Sequence, residues 1–240
     1  LPINKNVTID ATSLPKGIEL VGGRFVSSVA DVHFALHGVH MRDRIGSGES
    51  GGAISINDGN LNLSHCTFSN NDTGSPASGG ALYLDNAALV AENCTFSGNT
   101  SPAGAVHLRH TSFRPKVANI SFCSFLNNSV GEGVLYLTGV AKAETFVCVF
   151  SPAAGSSSLA SISTWPASSF TSLGYNAFTD APGGTVATDK TNRSFLTTAY
   201  NDLADNGGWV ETQTPLPLST AEYWVPGPAP GLVPPPLLDA

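Results

Sequence analysis

A three-part motif recurs four times between residues 51 and 150, and this repeat limits the folds open to the chain. Each part is a short segment in which apolar residues alternate with other residues. Successive copies are separated by roughly 24–29 residues, a period typical of solenoid repeats. The first part is found at Gly52–Ile56, Gly80–Leu84, Gly104–Leu108 and Gly133–Leu137; the second at Leu61–Leu63, Leu89–Ala91, Ala118–Ile120 and Ala143–Thr145; the third at Cys66–Phe68, Cys94–Phe96, Cys123–Phe125 and Cys148–Phe150.

Alternation with a period of two places the apolar residues of a segment on one face, which is the pattern of a half-buried β-strand. Three such strands per repeat predict three sheets around one core, with each coil rising by about 4.8 Å. A solenoid of helices would need apolar residues three and four apart over longer, less glycine-rich segments. The sequence therefore predicts an all-β fold, a right-handed, single-stranded parallel β-helix (solenoid) with three short sheets per coil.

The repeat also divides the chain into regions. Residues 51–150 hold the regular coils, and a less regular form of the same period predicts degenerate N-terminal coils over residues 1–50. The pattern then fades, so residues 151–215 are expected to form irregular coils or a cap that completes a β-helix domain of residues 1–215. The proline-rich residues 216–240 are expected to be an extended tail or linker, because proline favours polyproline-like chain.

Composition narrows the range of partners. Only 12% of the residues are charged, the net charge is −7 and no run of Lys or Arg occurs, so we expect no nucleic-acid partner. No apolar stretch reaches the ~18–20 residues of a membrane-spanning helix, so we expect no membrane span. Because the chain begins with Leu1 rather than Met, we expect the numbering to begin at a mature end or at another boundary.

The motifs of the coils resemble a known family. A G-G-A-I/L element at residues 51–54 and 79–82, paired with an F-x-x-N element at residues 68–71, 96–99 and 125–128, resembles the repeats of chlamydial polymorphic outer-membrane proteins and related secreted β-helix proteins. G-Y-N at 174–176 and D-N-G-G at 205–208 are similar to elements that close the helix in that wider group. The resemblance implies this fold and an extracellular or cell-surface location, and it implies no particular activity. The fourth coil departs from it, since no Asn follows Phe150 at the third position.

The four cysteines occupy one inward column of the predicted coils. Neighbouring strands bring Cα atoms to about 4.8 Å, inside the range of a disulfide, so Cys66–Cys94 and Cys123–Cys148 are candidate bridges. The alternative is a ladder of buried thiols that act as small apolar side chains. One straight column cannot surround an ion tetrahedrally, so we expect no metal site, and no motif indicates a cofactor.

Eight N-x-S/T sequons occur, and these require an exposed Asn and a secretory route of eukaryotic type to be used. Two of them, at Asn71 and Asn99, fall in a predicted ladder of turn residues and are expected to be shielded. The remaining glycosylation candidates are Asn6, Asn62, Asn93, Asn119, Asn127 and Asn192. The alternative is that β-helix turns simply favour Asn, Ser and Thr. The proline-rich tail is similar in composition to hydroxyproline-rich wall and flagellar-hair glycoproteins of green algae, which favours glycosylation.

The outward residues of the first strand column form a candidate ligand strip of Tyr83, Asp85, His107, Arg109 and Tyr136. Aromatic rings and paired charges in a row suit the binding of a sugar chain. The alternative is a surface salt bridge between Asp85 and Arg109 of small energetic value, with cross-strand packing of the aromatic side chains.

No set of residues predicts catalysis, because Asp58, Asp72 and Asp85 fall in different columns and the six histidines form no recognisable triad. We therefore expect a non-enzymatic extracellular structural glycoprotein in a cell-surface, cell-wall or filamentous assembly. Its expected partners are other copies of itself or other extracellular matrix or filament proteins. The alternatives are a surface adhesin for a host or neighbouring-cell ligand, and a β-helix that binds or cleaves polysaccharide.

Overall fold

The structure is a computed structural model that describes residues 1–111, 116–153, 160–180 and 182–191. Regular structure within these ranges is entirely β-strand. The strands are β1 (Val7–Asp10), β2 (Ile18–Val21), β3 (Phe25–Ser27), β4 (His33–His37), β5 (Val39–Arg42), β6 (Ile54–Asn57), β7 (Asn60–Ser64), β8 (Thr67–Ser69), β9 (Leu82–Asp85), β10 (Ala88–Glu92), β11 (Thr95–Ser97), β12 (Thr100–Ser101), β13 (Val106–His110), β14 (Val117–Ser121), β15 (Ser124–Val130), β16 (Leu135–Gly139), β17 (Lys142–Phe146), β18 (Val149–Pro152), β19 (Ile162–Thr164), β20 (Ser169–Ser172) and β21 (Ala177–Phe178).

The strands form three parallel sheets. Sheet 1 has the order β1-β4-β7-β10-β14-β17-β20, sheet 2 the order β2-β5-β8-β11-β15-β18-β21 with β12 also beside β15, and sheet 3 the order β19-β16-β13-β9-β6-β3. The chain visits sheets 1, 2 and 3 in turn, and each round is one coil of a right-handed β-solenoid of about six turns. The predicted fold class is therefore confirmed.

The register of sheet 2 shows how the coils stack. Leu20 lies beside Met41, Met41 beside Phe68 and Phe68 beside Phe96, so equivalent positions of successive coils are in contact. The step from Leu20 to Met41 is shorter than the repeat of the regular coils predicts. The reason is that only residues 22–24 join β2 to β3, whereas residues 43–53 join β5 to β6.

A column of phenylalanine rings runs through the core along sheet 2. Its members are Phe68, Phe96, Phe125, Phe150 and Phe178, and each is fully buried. Neighbouring rings are stacked, with centroids 4.6 to 5.3 Å apart and planes within 9° of parallel. Each aromatic pair adds roughly 0.5–1.5 kcal/mol beyond the burial of its area. Identical side chains in register thus stabilise each coil against the next.

The corner between sheet 1 and sheet 2 is made by one residue per coil in the left-handed region. His65, Asn93, Phe122 and Val147 hold this position, with φ between 51° and 54°. The sequence predicts a corner at this place, because the alternation of apolar residues changes phase there. Asn tolerates such a φ, whereas the bulky Phe122 and the β-branched Val147 adopt it at a cost of about 1–3 kcal/mol each.

At the C-terminal end of the described solenoid, residues 182–191 cover the edges of two of the three sheets. Ser172 N–H donates to the carbonyl of Gly184 (2.9 Å), and Phe178 N–H donates to that of Lys190 (2.8 Å). The buried Asn176, from the G-Y-N motif, donates its backbone N–H to Oδ1 of Asp189 (2.9 Å). This segment therefore closes the strand edges of β20 and β21. The D-N-G-G motif and the proline-rich tail lie outside the described residues.

The N-terminal end is closed over only one of the three sheets. The carbonyl of Val26 accepts from Ile3 N–H (2.7 Å), and Val26 N–H donates to the carbonyl of Leu1 (3.0 Å), so the first residues cover the edge of β3. β1 and β2 stand last in their sheets among the described strands, and Val7 and Ile18 are only partly buried. The described ranges contain no helix with the length and apolarity that a membrane crossing requires.

Candidate functional site

The Asn that follows each core Phe at the third position bonds one coil to the next. Asn71 Nδ2–H donates to the carbonyl of Met41 and to Oδ1 of Asn99, each at 3.1 Å. Asn99 Nδ2–H donates in the same way to the carbonyl of Phe68 (2.9 Å) and to Oδ1 of Asn128 (3.0 Å). All three Asn side chains are completely buried. The predicted Asn ladder is therefore present.

The ladder Asn is not itself the left-handed residue of its turn. The left-handed residue of the turn is the one before each ladder Asn, namely Asn70, Gly98 and Asn127, with φ of 53°, 64° and 54°. The ladder Asn itself therefore acts through its amide, by capping backbone groups of the neighbouring coils. A glycan on Asn71 or Asn99 is incompatible with this fold, because the attachment atom Nδ2 is already a buried donor.

The remaining sequons differ in exposure. Asn6, Asn62 and Asn119 are exposed, whereas Asn93 and Asn127 are half-buried in left-handed turns. Oδ1 of Asn6 accepts a hydrogen bond from His33 N–H (2.9 Å). Asn192 lies outside the described residues.

The outward face of sheet 1 carries two of the exposed sequons in one column. Asn62 pairs with Val90, Val90 with Asn119, and Asn119 with Glu144 on successive coils. Val90, which lies between the two sequons, is also exposed. This face is therefore open to solvent along the column, as a glycan-bearing surface requires.

The four cysteines are buried free thiols. Each Sγ lies close to the carbonyl of the residue two positions earlier, as Cys123 Sγ does to that of Ser121 at 3.2 Å. Burial raises the pKa of the Cys123 thiol, because the thiolate would lose its hydration. The structure therefore matches the unbridged alternative, while bridging of Cys66–Cys94 and Cys123–Cys148 under oxidising conditions stays a prediction.

The candidate ligand strip resolves into two rows on the outward face of sheet 3. The supporting row consists of Ser55, Tyr83, His107, Tyr136 and Ser163, which lie side by side on β6, β9, β13, β16 and β19. His107 and Tyr136 are each only 7% exposed. The His107 ring packs edge-on against Tyr83 (centroids 5.2 Å apart) and at a tilt against Tyr136 (4.7 Å). These outward-pointing rings therefore bury one another.

The exposed row lies beside it, two residues further along each strand. It consists of Asn57, Asp85, Arg109 and Thr138, and Trp165 follows directly after β19 on the next coil. Arg109 and Trp165 are exposed, whereas the other three side chains are half-buried. Arg109 Nη1–H donates to Oδ2 of Asp85 at 3.0 Å, with side chains 47% and 19% exposed, respectively. Trp165 is 57% exposed. Asp85 and Arg109 are thus neighbours, as the sequence predicts.

Side chains of the supporting row hold those of the exposed row. His107 Nε2 is hydrogen-bonded to Thr138 Oγ1 on the next coil (2.9 Å), and Trp165 Nε1–H donates to the hydroxyl of Tyr136 (2.5 Å). A hydrogen bond with Tyr83 and the charge of Asp85 raise the pKa of Arg109. Burial, helped by the charge of Arg109, lowers the pKa of His107 to about 4, so this imidazole is neutral at pH 7. Burial raises the pKa of Tyr136.

The candidate ligand strip leaves out three members of the exposed row, which are Asn57, Thr138 and Trp165. Asn57 on β6 and Thr138 on β16 lie in the same alternation as Asp85 and Arg109, so their outward positions follow from the repeat. Trp165 lies in an irregular coil, where the repeat motif is absent from the sequence. The only feature of the sequence that could have pointed to Trp165 is a large aromatic residue in a Ser- and Ala-rich stretch.

The polar and aromatic side chains of the two rows on sheet 3 could contact a ligand through hydrogen bonds and ring stacking. No group of three or more His, Cys, Asp or Glu in those ranges could hold a metal ion. Searches of protein-family models, curated proteins and solved structures found no match to the chain. The resemblance to chlamydial outer-membrane repeats and the similarity to algal glycoproteins stay predictions.

Proposed function

We propose that this chain is a non-enzymatic extracellular structural glycoprotein, a component of a cell-surface, cell-wall or filamentous assembly. The observation that carries the proposal is the exposure of Asn62 and Asn119 in one open column of sheet 1, with Asn6 exposed near the N terminus. Glycans on Asn62 and Asn119 would project from the outward face of sheet 1. An outer surface of this kind suits a protein that is surrounded by extracellular matrix.

The internal columns support a structural role. The Phe stack connects every regular coil to the next through its rings, and the Asn ladder connects the first three regular coils through amides and backbone carbonyls. Such contacts make the solenoid a stiff spacer, since each coil is fixed by both of its neighbours. The Phe and Asn side chains of these columns therefore stabilise the fold. Other molecules would bind at the outward faces or at the ends of the solenoid.

The two ends of the solenoid differ, and the difference favours assembly through the N-terminal end or through the lateral faces. The edges of β1 and β2 lie open among the described strands, and open strand edges readily pair with another chain. The edges of β20 and β21 are instead covered by residues 182–191. Direct head-to-tail stacking of coils would require that this cover be displaced, so other copies or other matrix proteins are expected at the remaining surfaces.

The proposal is tested on the chain secreted from a eukaryotic host. We expect the intact mass to fall after enzymatic removal of Asn-linked glycans, and electron micrographs to show oligomers or ordered arrays. We also expect no release of reducing sugar from a panel of neutral and acidic polysaccharides. Discrete monomers at all concentrations would instead support the adhesin alternative. Cleavage that is lost on Asp85→Ala or Arg109→Ala would overturn the non-enzymatic role.

A further inference from the structure

We propose that the exposed row of sheet 3 binds a neutral, linear oligosaccharide that lies along the axis of the solenoid. The row places an amide, a carboxylate, a guanidinium, a hydroxyl and an indole on five successive coils, from Asn57 to Trp165. With about 4.8 Å per coil, its length is about 19 Å. This binding does not depend on whether the chain carries glycans of its own.

The ligand class follows first from the geometry of the row. One polar group per coil at a constant rise is a repeating pattern, and it suits a ligand that itself repeats hydroxyl groups along an extended chain. Carboxylate oxygens accept hydrogen bonds from hydroxyls, guanidinium N–H groups donate to them, and the hydroxyl of Thr138 can do both. A protein partner would be expected at a more apolar surface, since binding energy there concentrates in buried aromatic clusters.

Trp165 supplies the apolar contact of the row. Its indole N–H is already bonded to the hydroxyl of Tyr136, so the exposed part of the side chain is mostly ring surface. An aromatic ring of this kind packs against the C–H face of a pyranose. Because Tyr136 is itself buried, the indole is held in place before the ligand arrives, which reduces the entropy that binding costs.

The charge of the row favours a neutral sugar over an acidic one. Asp85 and Arg109 are bonded to each other, so their charges balance. An acidic sugar would have to compete with Asp85 for the guanidinium and would lie close to the Asp85 carboxylate. The supporting row adds no positive charge, because burial holds the pKa of His107 at about 4.

The test is isothermal titration of the full chain with hexasaccharides of β-1,4-linked glucose, β-1,3-linked glucose, β-1,4-linked mannose and α-1,4-linked galacturonic acid. We expect at least one neutral hexasaccharide to bind with a Kd below about 1 mM. Trp165→Ala and Arg109→Ala should each weaken that binding at least about tenfold. Val90→Ala, an exposed substitution on sheet 1, is the matched control and should leave the affinity unchanged.

A second variant tests how the indole is positioned. Tyr136→Phe keeps the ring beneath Trp165 and removes only the hydroxyl that accepts its N–H, so the fold should persist. We expect a loss of affinity of about fivefold and a change in the indole N–H resonance of Trp165 in NMR spectra. Absence of binding to all neutral hexasaccharides, tighter binding of the galacturonate hexamer, or binding that both Trp165→Ala and Arg109→Ala leave intact would each overturn the proposal.

Discussion

Asn71 and Asn99 lie one above the other inside the solenoid, and the amide N–H of Asn71 donates to Oδ1 of Asn99 at 3.1 Å. The same oxygen also accepts from the backbone N–H of Asn71 at 3.1 Å. Both residues begin a glycosylation sequon and both are fully buried. The amides of these two sequons therefore form hydrogen bonds inside the core, whereas other sequon residues, such as Asn62, are exposed on the surface.

Asn99→Ala should destabilise the solenoid by at least about 3 kcal/mol in unglycosylated protein. The substitution removes the amide that donates to the carbonyl of Phe68 and to Oδ1 of Asn128, and it takes the acceptor away from the buried backbone N–H of Asn71. Urea unfolding followed by circular dichroism measures the effect. The control is Asn62→Ala, an exposed sequon residue on sheet 1, which should change stability by no more than about 0.5 kcal/mol. A loss below about 1 kcal/mol for Asn99→Ala would show that the ladder is not a main source of stability.

The four cysteines should be unreactive toward a bulky thiol reagent in the folded protein under reducing conditions. Each thiol is buried, and burial raises the pKa of Cys123, which disfavours the reactive thiolate. We expect four labels in denaturant and none in buffer on the same timescale, as read by intact mass. The number of labels gained when an oxidised sample is reduced measures bridging of Cys66–Cys94 and Cys123–Cys148. Rapid labelling of the native, reduced protein would contradict the buried column.

Stability should fall as the pH is lowered from 7.5 to 5 because of His107. Its pKa is about 4 in the folded chain and about 6.5 in the unfolded chain, so the unfolded state binds the proton first. The contribution of His107 to the free energy of unfolding is complete above about pH 6.5 and is lost as the pH falls toward 4. About 2 kcal/mol of it is lost by pH 5. No described residue accepts a hydrogen bond from the buried Nδ1, so protonation gains no partner there.

The contribution of His107 is isolated by comparing variants. His107→Gln should show a smaller loss of unfolding free energy between pH 7.5 and 5, by about 2 kcal/mol, than the unmodified chain. Burial also lowers the pKa of His110, but this residue contributes equally in both proteins. His33→Gln, at an exposed position, should keep the full pH dependence. Equal losses in the chain and in His107→Gln would mean that the imidazole titrates normally.

The regular part of the solenoid could be predicted from the sequence because stacking repeats the same residue at the same place. Phe68 and Phe96 occupy the same position of successive repeats and pair in register, and the corner at His65 and Asn93 lies where the alternation changes phase. The short first interval, from Leu20 to Met41, could not be predicted, because its length depends on a connection that carries no motif.

The sequence predicts which residues of the candidate site point outward, but it does not predict which of them are accessible to solvent. Alternation places His107 and Tyr136 on the outward face, and outward residues are expected to be accessible. The rings nevertheless bury one another, since neighbouring coils bring their centroids within 4.7 Å. The accessible surface therefore moves to the next outward position on each strand, where Arg109 lies, and it extends to Trp165 in a coil without the repeat motif.

The most direct measurement is site-resolved mapping of glycans by mass spectrometry on the chain secreted from a eukaryotic host. We expect glycans on Asn62 and Asn119, with Asn6 as the third exposed site, and unmodified Asn71 and Asn99 in the folded protein. Unmodified Asn62 and Asn119 would contradict the proposal of an extracellular glycoprotein. Glycans on Asn71 or Asn99 in folded protein would contradict the ladder on which the solenoid depends.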